Sequence, residues 1–163
     1  MMKKIIFIPL LLLLIPGIFS CSINDDVNEG AEFISASINE EGWQGGAPEV
    51  YLDQETDTLT ILGSGDEQVV VFKIKFKEVG TYDLSGSQAS YYTTVGGDVL
   101  TSLYKPAPES DSQLIITDYN SESNIIEGTF SSIMHQEYNN PENDIDLLNI
   151  TNGKFRGTIV NQP

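Results

Sequence analysis

Gln68-Val69-Val70-Val71-Phe72-Lys73-Ile74-Lys75-Phe76-Lys77 decides the fold class. Val70, Phe72, Ile74 and Phe76 share one parity; Val69, Val71, Lys73 and Lys75 share the other. Successive side chains of a strand point to opposite faces, so this period of two predicts a strand with one buried and one wetter face. Its β-branched and aromatic content suits the middle of a sheet. Working outward, further strands are expected at Glu32–Asn39, Glu49–Leu52, Thr58–Leu62, Gly80–Leu84, Ala89–Val95, Val99–Tyr104, Gln113–Tyr119, Ile125–Met134, Ile145–Thr151 and Lys154–Val160. Between them lie Asn39-Glu40-Glu41-Gly42, Asp53–Asp57, Gly63-Ser64-Gly65-Asp66, Gly96-Gly97-Asp98, Asn120–Asn124 and Asn152-Gly153. Gly and Asn accept positive φ at little cost, so each of these can reverse the chain. No stretch after Gly30 sustains a helical period. The expectation is therefore an all-β fold, a single antiparallel β-sandwich with a barrel-like closure as the alternative. Val70, Phe72, Ile74, Phe76, Phe130 and Phe155 are expected to share one core. Gly128-Thr129-Phe130 and Gly153-Lys154-Phe155 echo each other, as two strands placing Phe into the same core beside a glycine bulge would.

Composition narrows the chemistry. The chain holds 24 acidic and 8 basic side chains, a formal charge of −16. A polyanion of this kind is repelled by phosphate backbones, which argues against nucleic acid as a partner. One cysteine and one histidine exclude disulfides within the chain and any zinc site built from several Cys or His ligands. Only His135 could serve a Ser-His-Asp or Cys-His catalyst, and a lone histidine at a strand end is more often structural. No catalytic residue and no cofactor are expected.

The first residues read as an address. Lys3 and Lys4 precede an apolar run from Ile5 to Phe19 that is broken by Pro9 and Pro16. It is shorter than the roughly 20 apolar residues that a membrane-spanning helix needs, so a cleaved signal over residues 1–20 is expected. Ile18-Phe19-Ser20-Cys21 closes the run like a lipobox, with Phe19 bulkier than the usual occupant of its position. Lipidation of Cys21 is therefore expected; its acyl chains, at about 0.8 kcal/mol per buried CH₂, would anchor the protein to a membrane. Removal of Lys3 and Lys4 with the signal takes the formal charge from −16 to −18. Residues 21–30 are acidic and aperiodic, as expected of a flexible tether, and residues 31–163 are expected to form the single β-sandwich domain.

The order of Phe33–Ile38, Gly42-Trp43, Val79-Gly80-Thr81-Tyr82-Asp83-Leu84, Gly128-Thr129-Phe130 and Ile150-Thr151-Asn152-Gly153-Lys154-Phe155 resembles an uncharacterised family of small Bacteroidetes lipoproteins. The resemblance implies a β-sandwich tethered behind a lipobox and brings no catalytic residues with it. It also implies a cell-envelope, outer-membrane location. In that lineage acidic residues shortly after the lipidated cysteine are similar to a surface-export signal, and Asn24-Asp25-Asp26 stands at about that place.

Two kinds of candidate binding residue remain. Asp53, Glu55 and Asp57 are spaced by two like the start of a calcium loop, but Thr58 and Ser64 stand where an EF-hand needs Gly and Glu. A solvated acidic turn is the preferred reading. Asp144 and Asp146 form a second oxygen-rich stretch, so calcium would require a site assembled from loops. Trp43, Tyr92 and Tyr104 are the candidate ligand-binding aromatics. Adjacent Tyr91 and Tyr92 must face opposite sides of a strand, so one lies outside the core. Trp43, flanked by Gly42 and Gly45-Gly46, is expected to plug one end of the sandwich. The function expected is a lipid-anchored, non-enzymatic binding or structural module of the envelope. Calcium-dependent or glycan-binding adhesion is the alternative, and an envelope glycan hydrolase a more remote one. The expected partners are the membrane through Cys21 and a glycan or envelope protein, on a monomeric chain.

Overall fold

A computed structural model describes residues 30–141 and 145–162; the expected signal, Cys21, the tether up to residue 29 and Asp144 lie outside the described residues. Eleven strands follow in order: β1 (Phe33–Ile38), β2 (Glu41–Gly45), β3 (Glu49–Asp53), β4 (Thr58–Gly65), β5 (Gln68–Lys75), β6 (Gly80–Asp83), β7 (Ala89–Val95), β8 (Val99–Pro106), β9 (Gln113–Asn120), β10 (Ile125–Asn139) and β11 (Leu147–Gln162). A short 3₁₀ turn, Gly86–Gln88, precedes β7.

All strand pairs are antiparallel except β3 with β11. The ladder runs β10-β11-β3-β4-β5-β7-β8 and returns to β10, so the all-β sheet closes on itself and the barrel-like form describes it. Closure removes most of the exposed edge that an open sheet would present. Two short wings remain outside the ring. β2-β1 lies beside the first part of β11, and β6-β9 lies beside the first part of β10.

The decisive strand behaves as its alternation predicts. Val70, Phe72 and Ile74 are buried, whereas Val69 and Val71 are half-buried and Lys73 and Lys75 exposed. Phe130 and Phe155 join that core, and the rings of Phe72 and Phe130 stand 4.8 Å apart. Phe76 falls just beyond β5 and is only partly buried; its ring meets Tyr119 edge-on at 5.2 Å.

Three local expectations are corrected. Glu41–Gly45 is a strand, because the reversal is completed by Asn39 and Glu40 alone, at φ 48° and 70°. β10 continues past Met134 to Asn139 and carries His135 on its outer parity. Asn152-Gly153 does not turn the chain back: β11 runs through it, with Asn152 at φ 53° forming an irregularity opposite Phe130–Ser132.

That irregularity sets the Gly-x-Phe echo face to face. Gly128 pairs with Phe155, and Phe130 pairs with Gly153. A Cβ built on Gly153 would lie 2.4–2.5 Å from three carbons of the Phe130 ring, and one on Gly128 would lie 2.7 Å from Phe155. Each ring therefore occupies the space above the glycine opposite it. Thr129 pairs with Lys154 in the intervening row, and Glu127 pairs with Arg156 in the row beyond Gly128.

Candidate functional site

The inner face changes character toward one end of the ring. Along β7 the inward positions pass from Ala89 to Tyr91 and then Thr93; along β8 they pass from Tyr104 to Ser102. The polar residues mark where the core gives way to an open mouth. Here Asp66-Glu67, both at positive φ, bound a cavity of about 690 Å³ together with β2, β7, β8 and the ends of β10 and β11. That volume lies within the range usual for small-molecule sites.

The floor of the mouth is aromatic with its polar tips engaged. The Tyr91 and Tyr104 rings stand 5.9 Å apart. Tyr91 Oη donates to Gln68 Oε1 at 2.9 Å, and burial pushes its pKa up to about 12, with the neighbouring Tyr104 adding to the shift. Tyr104 Oη donates to the Ile145 carbonyl at 3.2 Å and accepts from Gln136 Nε2 at 2.9 Å. The Trp43 indole N–H donates to the Gly65 carbonyl at 3.1 Å, which holds β2 across the mouth. Thr93 Oγ1 lies 2.7 Å from Thr101 Oγ1 and 2.6 Å from Ser102 Oγ, giving a chain of three hydroxyls on the wall. Asn139 Nδ2, on the same cavity, is buried and has no hydrogen-bond partner among the described residues. A buried donor left unpaired costs about 1–3 kcal/mol, so this atom calls for an acceptor that the described residues do not supply. Glu41, Asp66 and Glu67 stand at the rim, where Glu67 accepts from the Gly96 N–H at 2.6 Å.

Of the aromatic candidates, Trp43 and Tyr104 both line this mouth and Tyr92 does not. Trp43 is 5% exposed and Tyr104 3%, so they offer edges to a ligand rather than open ring faces. Tyr92 faces out of the sheet, as its adjacency to buried Tyr91 requires. Gln68, Thr93, Thr101, Ser102 and Asn139 were not singled out by sequence. The signal that could find them is the switch from apolar to hydroxyl side chains at inward positions of β7 and β8.

Asp53 serves the β3–β4 turn: its Oδ1 accepts from the Glu55 and Thr56 N–H groups at 2.9 and 3.0 Å. Hydrogen bonds from Thr56 hold its carboxyl below the usual range. Glu55, Asp57 and Asp146 are exposed, and no group of three or more His, Cys, Asp or Glu side chains able to hold a metal forms among the described residues. His135 belongs to a different surface. Its Nε2 lies 2.6 Å from Glu137 Oε1, and Lys105 Nζ reaches Glu137 Oε2 at 3.3 Å. The hydrogen bond from His135, followed by Lys105, lowers the Glu137 pKa. Among the described residues no helix is long and apolar enough to cross a membrane.

Residues 31–157 match the family model of a domain of unknown function, DUF6252. The chain belongs to this family. No curated protein and no solved structure matches it.

Proposed function

We propose that this DUF6252 member is a lipid-anchored, non-enzymatic binding module of the cell envelope, tethered through Cys21, which takes a ligand into the mouth of its barrel. The observation that carries the reading is the buried Asn139 Nδ2, without a partner among the described residues, beside the Thr93–Thr101–Ser102 hydroxyl chain in a cavity of small-molecule size. Hydroxyls give and accept, the amide gives, and the rim carboxylates accept. A neutral polyhydroxylated ligand such as a glycan can satisfy all three. The hydroxyls bond to one another and His135 lines another surface, which favours binding over acyl transfer by a histidine-activated hydroxyl.

Two measurements test the reading. Metabolic labelling with palmitate should mark the wild type and not Cys21→Ala; equal labelling of both removes the anchor. Protease treatment of intact cells then separates surface display, expected from Asp25 and Asp26, from a periplasmic location. A glycan array probed with the full chain should give binding that Asn139→Ala and Thr93→Val both reduce. Binding that is unchanged in both variants places the ligand elsewhere.

A further inference from the structure

A second cavity lies on the outside of the ring, beyond the mouth reading and independent of it. The outward positions of neighbouring strands align in rows: Val69 with Tyr92, Tyr92 with Leu103 and Leu103 with Tyr138, and beside them Leu62 with Val71 and Val71 with Ser90. The 3₁₀ turn at Gly86–Gln88 rises along one side and encloses about 650 Å³ against this face. Its apolar surface comes from Leu62, Val71, Tyr92 and Leu103, all half-buried. Two ammonium groups, Lys73 and Lys105, line the same groove, and no carboxylate does.

That last fact is the informative one. In a chain with 24 acidic side chains, a groove walled by two lysines and no acid is a local reversal of sign. Lys73 makes no ion pair among the described residues, whereas Lys105 reaches Glu137 at 3.3 Å. At physiological salt the Debye length is about 8 Å, so distant carboxylates are largely screened; Glu137 offsets part of the Lys105 charge, and Lys73 supplies the uncompensated positive charge in the groove. A second copy of this chain, at −16, is repelled as a whole and is a poor occupant. Half-buried side chains also offer little to insert into a bilayer.

We propose that this groove binds a small organic anion with an apolar body, an aryl or short alkyl carboxylate or sulfonate. Its hydrocarbon part lies on Val71, Tyr92 and Leu103, and its anionic group lies between Lys73 and Lys105. The apolar part supplies non-directional burial, and each ammonium adds a charge-assisted hydrogen bond that an uncharged analogue cannot form.

The test titrates naphthoate and its uncharged counterpart naphthamide into the full chain in a neutral detergent, followed by amide chemical shifts. Naphthoate should perturb Val71, Tyr92 and Leu103, and naphthamide should bind at least about tenfold more weakly. Lys73→Gln/Lys105→Gln should cost naphthoate a similar factor and leave naphthamide unchanged, and added salt should weaken naphthoate alone. Equal binding of the two compounds overturns the proposal. So do perturbations centred on Tyr91 and Asn139, or no naphthoate binding at millimolar concentration. Should the double variant fold poorly, the comparison of the two compounds on the wild type still decides.

Discussion

Replacing Gly153 by alanine sets two effects of opposite sign against each other. Gly153 does not adopt positive φ, so the backbone accepts a Cβ. On conformational grounds alone, alanine should stabilise a strand interior by roughly 0.5–1 kcal/mol. The new Cβ, however, would sit 2.4–2.5 Å from three carbons of Phe130, where ordinary carbon contacts are about 3.5–4.0 Å. The ring must retreat by about 1 Å. It cannot do so freely, because the fully buried Phe72 ring stands 4.8 Å from it in the same core. Overpacking of this kind costs about 1–3 kcal/mol, so Gly153→Ala should destabilise by a net of about 1 kcal/mol, and by no more than about 2.5 kcal/mol. Urea unfolding followed by the single tryptophan, Trp43, measures it. The decisive control is a double-mutant cycle. Phe130→Ala alone should cost about 3–5 kcal/mol, but it vacates the space that the alanine at 153 needs. The double variant should therefore cost less than the sum of the singles by about 1 kcal/mol or more. A stabilised Gly153→Ala, or strict additivity, would refute the claim that ring and glycine share one volume.

Two further outcomes follow from the same geometry. Phe72→Ala, at a fully buried position, should cost about 3–5 kcal/mol by urea unfolding, and a loss below about 1 kcal/mol would mean the wrong face of β5 had been taken as core. Tyr91 holds its proton to about pH 12 in the folded state, against an ordinary value of 10.0, so the native state binds more protons than the unfolded state between these limits. Stability should then fall as pH rises through that window, and Tyr91→Phe should flatten this part of the profile; a wild-type curve level from pH 10 to 12 would contradict the burial of this phenol.

The fold was most legible where side chains alternate without interruption. β5, β7 and β9 announce themselves because parity alone sorts their buried residues. β2 was not legible, since Glu41-Gly42-Trp43-Gln44-Gly45 holds two glycines, has no β-branched residue and buries only Trp43 in full. Asn152-Gly153 misled for a related reason. Positive φ at an asparagine serves a hairpin and a bulge equally well, and what selects the bulge is the Phe130 ring across the ladder, which is remote in sequence. At the mouth, Trp43 and Tyr104 could be named from residue type, but their convergence depends on ring closure, which no local pattern encodes. The outer groove was partly visible as the Lys73 and Tyr92 parities. Lys105 joins them only through the register of β7 with β8.

β11 has a consequence for the time course of folding. This strand, Leu147–Gln162, touches β1, β3 and β10, so elements from the start, the first third and the end of the domain are joined by its last residues. Contacts that span so much chain are entropically slow to form, and the ring cannot close before the final segment is available. A chain emerging N-terminus first, through a ribosome or a secretion pore, would therefore carry β1 to β9 as unclosed strands until the C-terminal residues arrive. Antiparallel neighbours such as β4–β5 and β7–β8 can pair earlier, but the ring itself waits for β11. The order of the strands thus delays closure of the ring until β11 is available, without any need for a separate restraint.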